Sequence, residues 1–387
     1  MHMTDKWLKS MDNSLIVGAV LLDFTAAFDV IDHSILIAKL KSYGFSPSSL
    51  AWIESYLIGR TQRVFFNGSY SSSGNMSCGV PQGSCLGPLL FSIFINDLPY
   101  AVKNADLIMY ADDSTLFCAS PTSVELKDNL QIEFNNITKW IRMNKLVLNI
   151  SQTKSIVFGS RYALANATAL DLFVEGISVE QVTNVKLLGV KLDNLLSWSD
   201  QIDHIVSKMG RGIAISRKCS AYVSSSVMND VVRSLVLSHL DYCPVIWSSA
   251  AEKHLKKLQI AQNRAARLVL NCSFRTNVGW MHRQLSWLTV DMKLQYCLLM
   301  FMYNVIWNNT PQFFHEQILY IGFCHGHYTR QVSSGHLVVP NHNQNSMMRT
   351  VLHRAFTAWN MLPLNLRQTS SRFSFKRLLK HKLMCLL

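Results

Sequence analysis

The sequence predicts an α+β fold in which helices cover one face of a mainly antiparallel sheet. Three observations support this prediction. Apolar segments of strand length alternate with segments of helical periodicity, turn-forming dipeptides separate them, and a long amphipathic stripe follows the last predicted hairpin. The chain has 387 residues, of which 49% are hydrophobic and 16% are charged. It can therefore bury a sizeable core, and we expect two or three folded domains.

The first predicted elements follow from local signals near the N-terminus. An apolar run at residues 15–23 predicts a buried strand that ends in Asp23, and a helix is expected over residues 32–43. The next helix begins at Ser46-Pro47, which supplies a cap and a proline in the first turn. A strand followed by two helices is therefore expected at the start of the chain.

Two hairpins and a helix are predicted next. An Asn-Gly dipeptide after the strand-like residues 63–66 is typical of a hairpin with a tight turn. A helix is expected over residues 88–97, because Pro88 suits a first helical turn. The second hairpin, at residues 107–117, carries adjacent carboxylates at its tip.

A long helix and two short strands complete the predicted layer. We expect the strands at residues 146–150 and 155–158, and a mostly helical region over residues 199–270. The helix before them is indicated by an apolar stripe whose spacing predicts a core-facing side. Its members are Leu126, Leu130, Phe134, Ile137 and Ile141.

The paired carboxylates Asp112 and Asp113 stand between strand-like flanks in the sequence Tyr-Ala-Asp-Asp. Adjacent like charges repel and burial penalises both, so this placement is costly without a counter-ion. Mg²⁺ would remove the cost, because it binds one or two carboxylates together with substrate phosphates. A surface turn that happens to contain two aspartates is the alternative interpretation.

A third carboxylate, Asp23, ends the first predicted strand and precedes small residues and Phe28. With Asp112 it could bridge two metal ions about 3.5–4 Å apart, the arrangement that polymerases and nucleases use for phosphoryl displacement. Between the two acidic sites lies a glycine-rich segment at residues 78–91. Its glycines allow the backbone to approach a ligand closely.

Four segments of the chain, in this order, resemble the reverse transcriptases of non-long-terminal-repeat (LINE-type) retrotransposons. They are LLDFTAAFDVIDH, GVPQGSCLGPLLFSIFINDLP, YADD and WIRMNKLVLNISQTKSIVFGS. The resemblance is greatest to the jockey-like group of animal genomes and continues weakly to the C-terminus. It implies a right-hand polymerase palm, followed by a helical thumb and a basic C-terminal region.

The resemblance implies an RNA-directed DNA polymerase that adds deoxynucleoside triphosphates to a DNA primer on an RNA template. Two Mg²⁺ ions would be needed, and Mn²⁺ could replace them. Asp23, Asp112 and Asp113 would hold the ions, and the backbone carbonyl of Phe24 would add an oxygen ligand.

Further roles in the nucleotide site are implied in the same way. Phe28 would exclude a 2′-hydroxyl, and Lys154 would protonate the departing pyrophosphate. A core phenylalanine and a plain surface lysine are the alternatives for these two residues. The other residues expected at the nucleotide are Pro81, Gln82, Gly83 and Tyr110.

The net charge of +13 favours a polyanionic partner. Residues 252–270 predict a helix with one apolar and one basic face. That face is either ordinarily solvated or, as in a polymerase thumb, in contact with a duplex backbone. The basic residues we select for nucleic-acid binding are Lys253, Lys257, Arg264 and Arg267. A second basic helix is expected over residues 372–382.

The resemblance also suggests domain boundaries. Residues 186–192 look like the strand that grips the primer end, although an ordinary strand with a glycine bulge fits equally. The expected domains are a palm with partial fingers at 1–160, a connection at 161–198, a helical thumb at 199–320, and a linker with a basic helical region at 321–387.

Nine scattered cysteines form no CxxC pair, which argues against a disulfide framework. No secretory signal pattern is present, and no apolar run reaches the roughly 18 to 20 residues of a membrane helix. We expect an intracellular protein, in the nucleus, the cytoplasm or both, without membrane association. Cys324, His325 and His327 form a local cluster, which we interpret as surface residues rather than a zinc site.

Only 22 residues precede Asp23, whereas the resemblance implies an upstream fingers region and an endonuclease domain. The chain is therefore expected to be truncated. A catalytically silent remnant that only binds nucleic acid is the alternative to an active polymerase. A metal-dependent nuclease is a third interpretation, but it leaves the glycine-rich segment and Phe28 unexplained. The oligomeric state is not indicated.

Overall fold

The computed structural model describes residues 1–321 and 335–387. These residues form two compact units. One is Leu15–Leu188, and the other combines Met1–Ser14 with Gly189–Leu387. The domain boundaries expected at residues 160, 198 and 320 are functional divisions and stay predictions. The Cys324, His325 and His327 cluster lies outside the described residues.

The described strands are two to eight residues long, and the longest is β7. In chain order they are β1 (Ile16–Leu22), β2 (Thr61–Gln62), β3 (Phe65–Phe66), β4 (Ser69–Tyr70), β5 (Gly74–Asn75), β6 (Asp106–Tyr110), β7 (Asp113–Ser120), β8 (Lys154–Phe158), β9 (Phe173–Val174), β10 (Ile177–Ser178), β11 (Glu180–Val182), β12 (Asn184–Leu187) and β13 (Val190–Asp193).

Helices make up most of the remaining described structure. In chain order they are α1 (His2–Asp12), α2 (His33–Ser42), α3 (Pro47–Leu57), α4 (Gly87–Ile95), α5 (Ser123–Met143), α6 (Arg161–Ala165), α7 (Ser199–Cys219), α8 (Ser225–Leu235), α9 (Pro244–Trp247), α10 (Glu252–Leu270), α11 (Val278–Leu285), α12 (Val290–Trp307), α13 (Gln312–His315), α14 (Asn345–Met348), α15 (Val351–Asn360), α16 (Leu364–Arg367) and α17 (Arg372–Met384). No described helix combines the length and the apolar character that crossing a membrane requires.

A five-stranded sheet is the centre of the Leu15–Leu188 unit, in the order β11-β8-β1-β7-β6. Strand β1 runs antiparallel to both β7 and β8, while β11 is parallel to β8. Helix α5 packs on one face through the predicted stripe, whose five members are all at most 3% exposed. Gly18 permits this contact, because a Cβ there would stand 2.5 Å from a methyl group of Leu130. The α+β prediction is confirmed.

Two predicted strands are wrong. Residues 146–150 form only an isolated bridge, in which Leu148 pairs with Phe24, because Lys145 turns the chain with a left-handed φ of 56°. Residues 186–192 are not one strand, because Leu188 and Gly189 both adopt positive φ and make a tight turn between β12 and β13. This turn replaces the single primer-grip-like strand.

The other unit is mostly helical. Helix α7 packs on α8 and α10, and α12 packs on α15 and α17. Helix α1 joins this unit because its carboxylates bind backbone N–H groups that are far away in sequence. Asp12 accepts hydrogen bonds from the amides of Asn343, Gln344 and Met347 at 2.8–3.0 Å. The carboxylate of Asp5 likewise accepts hydrogen bonds from two backbone amides in the first turn of α15.

Candidate active site

The register of β1 and β7 brings the predicted acids to one end of the sheet. Leu22 pairs with Ser114, so Asp23 and Asp113 come one residue beyond this pair. Opposite residues in antiparallel strands have Cα atoms about 4.5–5.5 Å apart. The carboxylate at the end of β1 is therefore beside the hairpin that carries the other two.

The tip of the β6–β7 hairpin is a two-residue loop. Tyr110 and Asp113 form the last pair of the ladder, which leaves Ala111 and Asp112 as the loop. Ala111 has a φ of 52°, a left-handed conformation that is costly for a residue with a Cβ. Backbone strain of this kind concentrates at functional sites. The loop exposes the side chains of Tyr110 and Asp112 to solvent.

Replacing Ala111 with glycine should raise the free energy of unfolding by up to about 1 kcal/mol. Glycine removes left-handed strain worth roughly 1–2 kcal/mol, and its greater freedom in the unfolded chain offsets part of the gain. Urea denaturation measures the difference. The control is Ala119→Gly within β7, which should lower stability by about 0.5–1 kcal/mol. Equal destabilisation by both variants would contradict the strained turn.

The segment that carries Asp23 is anchored by residues that sequence reasoning missed. The carbonyl of Asp23 accepts a hydrogen bond from the amide of Asn149, 2.8 Å away. The fully buried hydroxyl of Thr153 accepts from the amide of Asp23 at 3.3 Å and donates to the carbonyl of Asn149 at 2.9 Å. Thr153 is therefore a positioning residue for Asp23. Nothing in the sequence indicates this role beyond the position of Thr153 next to Lys154.

Electrostatics at the site favour a cation. The pKa of Asp113 is raised by partial burial and then by the negative charges of Asp112 and Asp23. In the described part of the chain, no group of three or more His, Cys, Asp or Glu is placed so that it could hold a metal ion, and this includes Asp23, Asp112 and Asp113. Metal binding by Asp23, Asp112 and Asp113 therefore stays a prediction.

The backbone carbonyl of Phe24 is also available to a ligand. Phe24 and Leu148 form an isolated β-bridge. Its two hydrogen bonds are made by neighbouring residues: the amide of Thr25 donates to the carbonyl of Val147, and the amide of Asn149 donates to the carbonyl of Asp23. No hydrogen bond among the described residues uses the Phe24 carbonyl. The donor set is therefore compatible with the predicted oxygen ligand.

An open cleft of about 410 Å³ lies beside these acids. Predicted site residues form much of its wall, namely Phe24, Phe28, Pro81, Gln82, Gly83 and Asp112. The half-buried ring of Phe28 packs against the ring of Phe91, with centroids 4.6 Å apart. The structure thus brings Asp112 and Phe24 to the same cleft as Phe28 and the 81–83 loop, while Asp23, Asp113 and Tyr110 are not among the residues that line it.

The loop at residues 79–83 is held against the segment that follows Asp23. Val80 donates its amide to the carbonyl of Phe28 at 2.8 Å. The side-chain amide of Gln82 donates to both carboxylate oxygens of Asp29, at 2.9 and 3.0 Å. A Cβ on Gly79 would stand 2.6 Å from the carbonyl oxygen of Asp29, so only glycine fits there.

Lys154 is bound to other protein groups. Its ammonium donates to the Glu180 carboxylate at 2.6 Å and to the Ser151 carbonyl at 2.7 Å. This exposed ion pair is weak and exchangeable. The general-acid role of Lys154 stays a prediction.

The basic residues selected for nucleic-acid binding lie on α10. Lys253 and Arg264 are exposed, and Lys257 forms an ion pair with Asp203 at 2.6 Å. The guanidinium of Arg267 lies 5.0 Å from the centre of the Phe274 ring. Nucleic-acid contact by these residues stays a prediction.

Comparison with known proteins agrees with the motifs. The family model for reverse transcriptase (RNA-dependent DNA polymerase) matches residues 6–192. Two Drosophila melanogaster relatives are the probable RNA-directed DNA polymerases from transposon X-element, 27% identical over 298 residues, and from transposon BS, 30% identical over 311 residues. Each match covers 75% of this chain, and 32% and 33% of these relatives. The chain thus spans about a third of the length of the curated relatives it matches.

A third relative is the RNA-directed DNA polymerase from mobile element jockey of Drosophila melanogaster, 27% identical over 302 residues, with 74% of this chain and 32% of the relative covered. Among solved structures, apo telomerase from Candida tropicalis aligns with 76% of this chain and 49% of that chain, at 11% identity and a TM-score of 0.39. The resemblance to the non-long-terminal-repeat, jockey-like group is confirmed by the sequence relatives alone. On these grounds the chain belongs to the reverse transcriptase family.

Proposed function

We propose that this chain is an RNA-directed DNA polymerase that extends a DNA primer on an RNA template with deoxynucleoside triphosphates. One observation carries the proposal. Asp23 stands at the end of β1 next to the hairpin of Asp112 and Asp113, beside a cleft walled by Phe28 and Gln82. A polymerase needs this combination of clustered carboxylates and room for a nucleotide.

The residues of the cleft would divide the work of nucleotidyl transfer. Asp23, Asp112, Asp113 and the Phe24 carbonyl would hold two Mg²⁺ or Mn²⁺ ions. When bound, the ions lower the pKa of the primer 3′-hydroxyl and neutralise the triphosphate. The Pro81-Gln82-Gly83 backbone would contact the nucleotide, since Gly83 adds no side chain there. Positioning by Thr153 and by the Asp29–Gln82 contact keeps these groups in place.

Primer extension tests the proposal. The purified chain is given poly(rA)/oligo(dT), dTTP and Mg²⁺, with and without a chelator. Extension that depends on the metal ion supports the proposal. If the folded chain binds the hybrid but does not extend it with either Mg²⁺ or Mn²⁺, a silent remnant is the better description and the proposal fails.

Replacing Phe28 with alanine should let the enzyme accept ribonucleotides. The ring lines the cleft and is fixed against Phe91, so its removal opens space for a 2′-hydroxyl. We expect the preference for dTTP over UTP to fall about 10- to 100-fold, which corresponds to roughly 1–3 kcal/mol of lost exclusion. The ratio of the two kcat/KM values measures it.

Phe28→Tyr is the matched variant for this prediction. It keeps a ring of the same shape in the cleft, so it should keep the preference for dTTP. Circular dichroism would check that Phe28→Ala remains folded after losing its contact with Phe91. Unchanged sugar selection in folded Phe28→Ala would assign the ring to the core alone.

A further inference from the structure

A second cavity, of about 420 Å³, lies within the unit formed by Met1–Ser14 and Gly189–Leu387. Its walls are strongly basic. Three helices contribute cations, and Asp241 is the acidic residue among the described residues that line it. The cations are Arg233 from α8, Lys293 from α12, and Lys376 and Lys380 from α17.

Most of this positive charge is not neutralised by the residues that the structure describes. Lys293 forms an ion pair with Asp241 at 2.5 Å. Arg233, Lys376 and Lys380 form no ion pair with any part of the chain that the structure describes. Burial, and then the charges of Arg233, Lys293 and Lys376, lower the pKa of Lys380. These cations repel one another, and a bound anion would offset the repulsion.

The shape and chemistry of the walls indicate which anion fits. Lys376 and Lys380 are one helical turn apart, about 6 Å along the helix axis. Their positive charges are therefore spread along a line, as the phosphates of a nucleic-acid strand are. The half-buried Tyr296 adds an aromatic surface to the wall, whereas Trp287 is only 4% exposed and its indole N–H is bound to Asn229 at 3.1 Å. A basic groove with aromatic surfaces is the combination that binds single-stranded nucleic acid.

We propose that this cavity binds single-stranded RNA, with its phosphodiester backbone at Arg233, Lys376 and Lys380 and a base near the aromatic wall. The site is distinct from the cleft of the aspartates and from the basic face of α10. It does not depend on the proposed polymerase activity, because RNA binding here uses none of the catalytic carboxylates.

Binding of a fluorescent oligouridylate to the full chain, followed by anisotropy, tests the cavity. The cavity variant combines Arg233→Gln, Lys376→Gln and Lys380→Gln. We expect at least about tenfold weaker binding, and a slope of log K against log [KCl] that is smaller by about 2, since each lost phosphate contact removes roughly 0.7. All three side chains are exposed, so the variant should fold.

The control variant loses the same charge elsewhere, through Lys41→Gln, Lys139→Gln and Arg161→Gln at exposed positions of the Leu15–Leu188 unit. It should change the affinity by less than about threefold, because these side chains do not line the cavity and salt screens the attraction of distant exposed charges. If both variants weaken RNA binding equally, the cavity is not an RNA site and the proposal fails.

Photo-crosslinking of the unmodified chain to 4-thiouridine RNA gives a readout that needs no variant. The expected cross-link is in the tryptic peptide of residues 284–293, which contains Trp287. It should persist in Asp112→Asn, which separates this site from polymerisation. Absence of that cross-link would refute the proposal. Competition gives a second test. If inorganic phosphate abolishes the cross-link at the same concentration of phosphate groups as unlabelled RNA, the cavity is a simple anion site and the proposal fails.

Discussion

Replacing Asp112 with asparagine should reduce primer extension at least about a thousand-fold. The substitution keeps the size of the side chain and removes one carboxylate from the end of the sheet where Asp23 and Asp113 also lie. Losing a metal ligand there would cost several kcal/mol of transition-state stabilisation, and about 4 kcal/mol is a thousand-fold in rate. Incorporation of dTTP on poly(rA)/oligo(dT) measures the loss.

The structure also supplies the control for this variant. Asp112 is exposed at the tip of a hairpin, so the fold should not change. Asp128→Asn alters an exposed aspartate on α5 and removes the same charge. It should keep nearly full activity. Extension by Asp112→Asn within tenfold of the unmodified chain would remove Asp112 from the metal site.

Replacing Gly79 with alanine should lower the free energy of unfolding by at least about 3 kcal/mol. The new Cβ would stand 2.6 Å from the backbone carbonyl oxygen of Asp29, and the residue has a φ of 84°. Left-handed strain accounts for roughly 1–2 kcal/mol, and the forced backbone shift adds the rest. Primer extension should fall as well, because Val80 and Gln82 would move away from Phe28 and Asp29.

Gly44→Ala isolates the contribution of the clash. Gly44 has the same φ of 84°, but a Cβ there would meet nothing within 4 Å. It should therefore cost only the strain, about 1–2 kcal/mol, without loss of activity. Chemical denaturation of both variants gives the difference. Similar losses of stability in the two proteins would show that the close approach to Asp29 is unimportant.

Much of the Leu15–Leu188 unit could be predicted because its signals are local. The stripe from Leu126 to Ile141 is buried on α5 as its spacing predicts. Ser46 caps α3 through the amide of Ser49. The Asn67-Gly68 turn joins β3 to β4, with both residues at positive φ. In each case neighbouring residues determine the conformation, so no knowledge of distant contacts is needed.

Long-range contacts explain what sequence reasoning did not find. Residues 147–149 are held by two hydrogen bonds to the chain around Asp23 instead of forming a strand. The positioning role of Thr153 depends on a bond across 130 residues. The contact between Gln82 and Asp29 likewise exists only once the loop has been placed by Gly79. Such pairings depend on three-dimensional packing, which periodicity does not encode.

The partners of α1 have a consequence for synthesis on the ribosome. Asp12 binds the amide of Asn343, 331 residues later in the chain, and Asp5 binds α15. At about 5–20 residues per second, this first helix would wait roughly 20–70 s for its partners to be translated. The sheet of the Leu15–Leu188 unit would have emerged well before then. The sheet can thus form during translation before α1 meets its partners.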